Sequence, residues 1–186
     1  LPTSMQMSSS LLNQRVTHVP ATTSGRCSVR FHDIESFIVD SIRECTQVVG
    51  CVAWLRSKAI MRALSNVPCT IVITNDTKLP DYSSLTPFLS CHPTAVVKVG
   101  LARGRFRGLQ HNKFIVGLKN GKPSFVITGS FNYTEQASTQ NLENVVRIDD
   151  SSCADAYMRE ALAIMAIAKP CKPPRCKARL TKRRRI

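Results

Sequence analysis

The dipeptide Asn120-Gly121 stands between two apolar, β-branched runs, residues 111–118 and 124–128. Asn-Gly is the strongest short signal for a tight hairpin turn, because both residues readily adopt the positive φ values that such a turn requires. The sequence therefore predicts an antiparallel β-hairpin, and the fold of this chain has to place that hairpin inside a larger sheet.

Upstream of the hairpin, strand-like runs alternate with segments of helical spacing. The first helical segment runs from Ile34 to Cys45 with Asp33 placed to cap it, and Ser57 is placed to cap a second one that runs to Leu64. The predicted strands of this part are residues 28–31, 47–55, 69–74 and 95–99. This βαβαβ alternation is typical of parallel strands covered by helices.

Downstream of the hairpin, the pattern predicts a short helix, a strand and a longer helix that Pro170 ends, namely residues 135–140, 144–148 and 153–168. The predicted fold class is therefore α/β, with a mixed, mainly parallel β-sheet flanked by helices on both faces. The predicted organisation is a flexible N-terminal segment (1–26), a single domain (27–168) and a basic C-terminal tail (169–186).

Positive charge is concentrated in two parts of the chain. The formal net charge is +14, and residues 169–186 hold nine of the 26 basic residues and no acidic one. Residues 82–134 also contain no Asp or Glu, although they include Arg103, Arg105 and Arg107. Both segments are expected to attract phosphates, while a solvated basic surface is the alternative interpretation.

The eight cysteines contain no CxxC pair, so the sequence gives little support for a zinc site. We interpret most of them as structural, reduced thiols, which favours a reducing intracellular compartment. The chain has no apolar run of the 18 or more residues that a membrane span requires.

Polar residues with complementary chemistry cluster around the predicted hairpin. His111 and Lys113 alternate onto one face at the start of its first strand, and Ser130 and Asn132 do so just past its second strand. Glu143 follows within the short segment Asn-Leu-Glu-Asn, residues 141–144. The side chains of His111, Lys113, Ser130 and Asn132 can therefore converge on one anion, with the carboxylate of Glu143 near the same hairpin.

These motifs, His111-Asn-Lys-Phe-Ile-Val, Gly129-Ser-Phe-Asn-Tyr-Thr and Asn141-Leu-Glu-Asn-Val-Val, resemble the phospholipase D superfamily, and most closely its small bacterial endonucleases with one HxK motif per chain. The resemblance implies a phosphodiesterase that works as a homodimer, with two copies of His111 facing one phosphate. One His111 attacks phosphorus to give a phosphohistidine, and the other protonates the leaving oxygen.

The resemblance also implies roles for the other motif residues. Lys113 and Asn132, assisted by Ser130, hold the non-bridging oxygens, so neither a metal nor another cofactor is required. Glu143 hydrogen-bonds the far nitrogen of His111 and fixes its tautomer. The sequence departs from the family's HxKxxxxD pattern at Leu118, which stands where the family has Asp.

The substrate is a separate question, because the same chemistry serves nucleic acids and lipids. The acid-free segment, the three arginines at 103, 105 and 107, and the tail at residues 182–185 favour nucleic acid, DNA or RNA, as the partner and substrate. A lipid hydrolase acting on anionic phospholipid at a membrane surface is the first alternative, although Trp54, the only Trp, falls in a strand that reads as buried. A catalytically inactive nucleic-acid-binding module is the second.

Overall fold

The computed structural model describes residues 16–75 and 109–170, together with the backbone of residues 96–100. The helices of this part are α1 (Ile34–Arg43), α2 (Lys58–Leu64), α3 (Glu135–Thr139) and α4 (Ser151–Ile167). The strands are β1 (Thr22–Ser24), β2 (Cys27–Arg30), β3 (Gln47–Val52), β4 (Cys69–Asn75), β5 (Val96–Gly100), β6 (Lys113–Lys119), β7 (Lys122–Gly129), β8 (Val145–Ile148) and β9 (Lys169–Pro170).

All these strands form one mixed sheet in the order β1-β2-β8-β7-β6-β3-β4-β5-β9. The α/β class and the mixed sheet are confirmed. The expectation that the sheet is mainly parallel is wrong for the described strands, because only the β3–β4 and β4–β5 pairs are parallel. The hairpin accounts for much of this difference, since it enters the sheet between β3 and β8 and both of its outer pairings are antiparallel.

The hairpin itself is confirmed. Strands β6 and β7 pair antiparallel from Phe114↔Thr128 to Lys119↔Lys122. Asn120 and Gly121 join them with φ values of 52° and 76°, the left-handed conformation that a two-residue turn of type I′ demands.

Helices cover both faces of the sheet, as predicted. Strand β6 shows the alternation clearly, because Ile115 packs into the cluster beneath α1 and α2, whereas Phe114 and Val116 pack into the cluster beneath α4. Ala154 and Ala161 are the fully buried residues of α4, and their small side chains let the helix lie close to the sheet.

The two predicted helix caps have different outcomes. The Ser57 hydroxyl accepts a hydrogen bond from the Ile60 backbone N–H at 3.1 Å, which confirms the cap of α2. Asp33 precedes α1 but makes no capping bond, so that prediction is wrong. Asp33 has a left-handed backbone with φ of 51°, and its carboxylate contacts Nδ1 of His32 at 2.8 Å instead.

The sheet extends beyond the predicted domain bounds of 27 and 168. Strand β1 lies within the segment predicted to be flexible, because the β-branched Thr22 and Thr23 pair with β2 across a turn at Gly25. Strand β9 lies at the start of the predicted tail, where Lys169 and Pro170 pair with β5. The rest of the tail and the arginines at 103, 105 and 107 lie outside the described residues.

The described cysteines, Cys27, Cys45, Cys51, Cys69 and Cys153, are free thiols, as the sequence predicts. Burial raises the pKa of Cys45 and Cys69 to about 11 and that of Cys51 to about 12. These three thiols are therefore protonated and act as packing residues rather than as nucleophiles.

A half-buried arginine ties α1 to the middle of the sheet. The Arg147 guanidinium donates two bonds of 2.9 Å to Glu44, donates one of 3.1 Å to Ser41, and lies 3.9 Å from the centre of the Phe125 ring. The bonds from Arg147 hold the pKa of Glu44 below its ordinary value, and Lys119 contributes in the same direction.

This pairing predicts a pH-dependent loss of stability in a Glu44→Gln variant. Because the pKa of Glu44 is depressed on folding, its contribution is present above its unfolded pKa of about 4.3 and is lost as the pH falls through the folded value. Glu44 is partly exposed, so solvent screening limits the loss at pH 7 to about 1 kcal/mol. Urea denaturation at pH 7 and pH 3 tests this, and the difference between parent and variant should be smaller at pH 3 than at pH 7. Glu160→Gln, on the solvent side of α4, is the control and should cost little stability at either pH.

Candidate active site

The predicted functional residues lie at one end of the sheet, which we call the site end. There β3, β4 and β7 finish and β6 and β8 begin, since Val52 pairs with Lys113 and Gly129 with Val145. The residues predicted from the motifs stand at or just outside these strand ends: His111, Lys113, Ser130, Asn132 and Glu143. The structure therefore gathers all five at the site end, as the spacing of the motifs indicates.

His111 and Lys113 are in direct contact. The Lys113 ammonium nitrogen lies 3.2 Å from Nδ1 and 3.3 Å from Nε2 of His111, and it donates a bond of 3.0 Å to the His111 carbonyl. Burial lowers the pKa of Lys113, and the carboxylate of Glu143 opposes that shift. The side chain of His111 is exposed, so an anion at the site end can reach both residues.

A buried glutamine fixes the backbone that carries His111. Gln110 is only 7% exposed; its Nε2 donates to the Val72 carbonyl at 3.2 Å, and its Oε1 accepts from the Asn112 backbone N–H. The Asn112 carbonyl in turn accepts a bond of 2.9 Å from the Ala53 N–H. The segment around His111 is thus anchored to β4 and to the end of β3 before β6 begins.

Trp54 lies beside His111, although the sequence pattern placed it within a buried strand. Strand β3 ends at Val52, and the half-buried indole ring of Trp54 meets the His111 imidazole edge-on, with 5.4 Å between ring centres and an angle of 83°. The Trp54 carbonyl accepts a 3.1 Å bond from the Tyr133 N–H, which links the end of β3 to the segment after β7.

Glu143 does not hydrogen-bond His111 in the described chain, contrary to what the resemblance implies. Its carboxylate accepts a short bond from the Ser130 hydroxyl and a bond of 3.1 Å from Nδ2 of Asn141. The Ser130 hydroxyl also accepts a 3.1 Å bond from the Asn144 backbone N–H. Both carboxylate oxygens are therefore used by neighbours on the adjoining loops, and His111 contacts Lys113 instead.

Gly129 lets the two loops that carry these groups approach each other. A Cβ atom at this position would lie 2.2 Å from the Asn144 carbonyl oxygen and 2.8 Å from the Val145 Cα. Next to it, the Ser130 N–H donates a 3.1 Å bond to the same Asn144 carbonyl. The absence of a side chain at Gly129 therefore positions Ser130 against the loop of Glu143.

The direction of the Asn132 side chain follows from the alternation of side chains along residues 130–133. Phe131 and Tyr133 are almost fully buried in the core beneath α1 and α2, so Ser130 and Asn132 project to the opposite side, as predicted. The Asn132 Oδ1 atom is buried and has no hydrogen-bond partner among the described residues. Such an unpaired atom costs about 1–3 kcal/mol, so no hydrogen bond to Oδ1 from the described residues helps to position Asn132.

A cavity of about 400 Å³, which we call the side cavity, opens next to these residues. It is lined by Trp54, Arg56, Asn132, Asn141 and residues 134–136. The side cavity shares Asn132 with the predicted catalytic set, and Trp54 and Asn141 join it to His111 and Glu143 through the contacts given above.

The sequence reasoning missed three residues of this site. Trp54 and Gln110 had no local signal, because Trp54 was read as part of a strand and Gln110 belongs to none of the three motifs. Asn141 was visible only as part of the motif that contains Glu143. A histidine imidazole, a neighbouring ammonium and several amide and hydroxyl groups form an arrangement whose chemistry suits attack on a phosphate ester.

The described residues contain no group of three or more His, Cys, Asp or Glu side chains arranged to hold a metal ion. None of the helices in the described ranges is long and apolar enough to cross a membrane.

Two curated relatives share part of this sequence. A phospholipase D from Rickettsia bellii (strain RML369-C) is 37% identical over 76 residues, which are 41% of this chain and 36% of the relative. The mitochondrial cardiolipin hydrolase of Xenopus laevis is 30% identical over 115 residues, 59% of this chain and 50% of the relative. The chain thus spans about a third to a half of the length of these two relatives.

The fold is shared with solved structures of low sequence identity. NucT from Helicobacter pylori superposes with a TM-score of 0.63 at 16% identity, covering 78% of this chain and 98% of NucT. Nuc from Salmonella typhimurium, a phospholipase D family member, superposes with a TM-score of 0.60 at 19% identity, covering 78% of this chain and 99% of Nuc. The family described as "Cardiolipin synthase, PLD-like domain" matches residues 39–165, which include all five predicted site residues. The chain therefore belongs to the phospholipase D-like family.

Proposed function

We propose that the protein is a metal-independent endonuclease that cleaves nucleic acid through a phosphohistidine intermediate, at a site shared by two copies of the chain. The observation that carries this proposal is the contact between His111 and Lys113, which is exposed at the site end. A nucleophile with a cation at hydrogen-bond distance is what attack on an anionic phosphodiester requires.

The proposed reaction divides hydrolysis into two steps. A ring nitrogen of one His111 forms a bond to phosphorus as the bond to the leaving oxygen breaks, and the partner's His111 gives that oxygen a proton. The partner's His111 then takes a proton from water, which attacks phosphorus and releases the first His111. Lys113 and Asn132 stabilise the charge on the non-bridging oxygens in both steps.

Glu143 has an indirect role in this proposal. Its carboxylate is used by Ser130 and Asn141, and its charge opposes the burial that lowers the pKa of Lys113. Glu143 therefore helps to keep Lys113 protonated and orients the Ser130 hydroxyl towards the site end.

Charge distribution favours nucleic acid as the substrate. The segment of residues 82–134, which carries His111 and Lys113, has no acidic residue, and nine basic residues lie at 169–186. A polyanion gains binding free energy from every such cation by releasing counterions, whereas a single phospholipid head group contacts only a few of them.

Leu118, which stands where the family has Asp, does not argue against activity. It lies buried near the far end of β6, away from the site end.

A lipid hydrolase is the second candidate, and one observation favours it. Four partly exposed apolar side chains, 37–61% exposed, surround a cavity beside Glu143: Val16, Val19, Phe31 and Leu142. Such a cluster could touch the apolar part of a bilayer. The relatives' names, phospholipase D and mitochondrial cardiolipin hydrolase, point in the same direction.

Cleavage assays in excess EDTA with single-stranded DNA, RNA, duplex DNA and cardiolipin vesicles separate the candidates. We expect the parent to cut nucleic acid and a Lys113→Met variant to be slowed by about 10²–10³-fold, because one charge-stabilising donor is lost. Lys122→Met, at the hairpin tip, is the matched control and should keep its activity.

Three other results would contradict the proposal. Head-group release from vesicles without nucleic acid cleavage would favour the lipid hydrolase. Tight binding of nucleic acid without any cleavage would favour the inactive binding module. Cleavage that EDTA abolishes would show that a metal takes part.

A further inference from the structure

The side cavity has the wrong lining for an acyl chain and a suitable one for a polar ring. Among the described residues that line it, Trp54 is the only aromatic or aliphatic one, and the others carry guanidinium, amide, hydroxyl or carboxylate groups. Its volume of about 400 Å³ falls within the range of small-molecule pockets, about 300–1000 Å³. An acyl chain would leave these polar groups without partners, which is unfavourable.

The donors and acceptors of the side cavity match the edge of a heterocyclic base. Arg56 supplies guanidinium donors to the wall of the cavity. Gln136 and Asn141 supply amides that can both donate and accept, and Glu135 supplies an acceptor. Proteins that bind single-stranded nucleic acid recognise bases in this way, by hydrogen bonds to the base edge together with an aromatic side chain against the ring.

The side cavity is also connected to the reacting groups. The ring of Trp54 contacts His111, with 5.4 Å between ring centres. Asn132 belongs to the cavity wall and to the predicted phosphate-binding set, and Asn141 bonds the carboxylate of Glu143 at 3.1 Å. A group attached to a phosphate at His111 would therefore lie next to the cavity mouth.

We propose that the side cavity binds the base of a nucleotide adjoining the scissile phosphate, so that the protein selects single-stranded nucleic acid with an unpaired base at that position. This inference rests on the proposed nuclease function and specifies its substrate. A paired base cannot enter, because its edge is already occupied and its faces are stacked. Duplexes are then cut more slowly than single strands.

Small chromogenic esters test the base site separately from the phosphate site. The substrates are the p-nitrophenyl phosphate esters of the four nucleosides, in 3′ and 5′ forms, and methyl p-nitrophenyl phosphate, which has no base. We expect the parent to prefer at least one nucleoside ester over the methyl ester in kcat/KM. Arg56→Ala and Gln136→Ala should each reduce that preference about tenfold or more, whereas Arg62→Ala, on the exposed side of α2, should not change it.

If no ester is cleaved, that result counts against the proposed nuclease function alone. Binding measurements then still test whether the side cavity binds a base. Calorimetry with the parent should show tighter binding of a nucleoside monophosphate than of inorganic phosphate, and Arg56→Ala should remove the difference. The inference is overturned if every nucleotide binds no better than phosphate. It is also overturned if Arg56→Ala weakens phosphate and nucleotide equally, because Arg56 would then contact only the phosphate.

Discussion

A His111→Asn variant is expected to lose at least about 10⁴-fold in cleavage rate, equivalent to about 5.5 kcal/mol of transition-state stabilisation. Asparagine keeps a polar side chain of similar reach but supplies neither the nucleophilic nitrogen nor the proton donor. In the proposed site both copies of His111 take part, so the substitution removes both functions together. Initial rates on single-stranded DNA in EDTA measure the loss.

The control for this variant is His32→Asn, at a partly exposed histidine whose ring nitrogen contacts Asp33. It should retain activity, and thermal unfolding should show that both variants remain folded. Mixing parent chains with an excess of His111→Asn chains tests the shared site. If two chains form one site, the mixture should lose activity after the copies exchange, whereas an undiminished rate would show that each chain works alone.

A Gly129→Ala variant is expected to lose about 3 kcal/mol of stability and about 10²-fold in rate. The added methyl group would stand 2.2 Å from the Asn144 carbonyl oxygen, so strands β7 and β8 must separate where they meet the site. That movement breaks the bond from the Ser130 N–H to Asn144 and displaces the loop that carries Glu143. Urea denaturation and initial rates measure the two effects.

Gly25→Ala is the matched control for backbone conformation. Gly25 has a φ of +57°, and nothing lies within 4 Å of an added Cβ, so only left-handed strain of about 1–2 kcal/mol should appear. Its activity should be unchanged, since the turn between β1 and β2 is remote from the site end. If Gly129→Ala were as mild as Gly25→Ala, the close approach of β7 and β8 would not be what positions Ser130.

Short sequence motifs correctly predicted the turns and caps that depend only on residues close together in the chain. Asn120 and Gly121 form the turn because the conformation they favour is the one the hairpin needs, and Ser57 caps α2 because its hydroxyl reaches the Ile60 N–H within one turn. Asp33 shows the limit, since a good capping residue contacts His32 instead once its backbone adopts a left-handed conformation.

Sheet order and partner choice depend on contacts between distant segments. The alternation of strands and helices indicates an α/β protein but does not say that the hairpin lies beside β3, which makes most of the described pairings antiparallel. Likewise the motifs identify Glu143, but only the packed loops show that Ser130 and Asn141 occupy its carboxylate. Trp54 and Gln110 become part of the site through strands β3 and β4, which no motif near His111 reveals.

The outermost described strands affect how copies of the chain can associate. The three residues of β1 are exposed, and β9 is two residues long in the described part of the chain; its second residue, Pro170, has no backbone N–H to donate. Such short edge strands offer few unpaired backbone groups to a strand of a neighbouring molecule, which disfavours aggregation by edge-to-edge pairing of sheets. We therefore expect two copies to form a dimer through side chains near the strand ends, and not by pairing their edge strands into one continuous sheet.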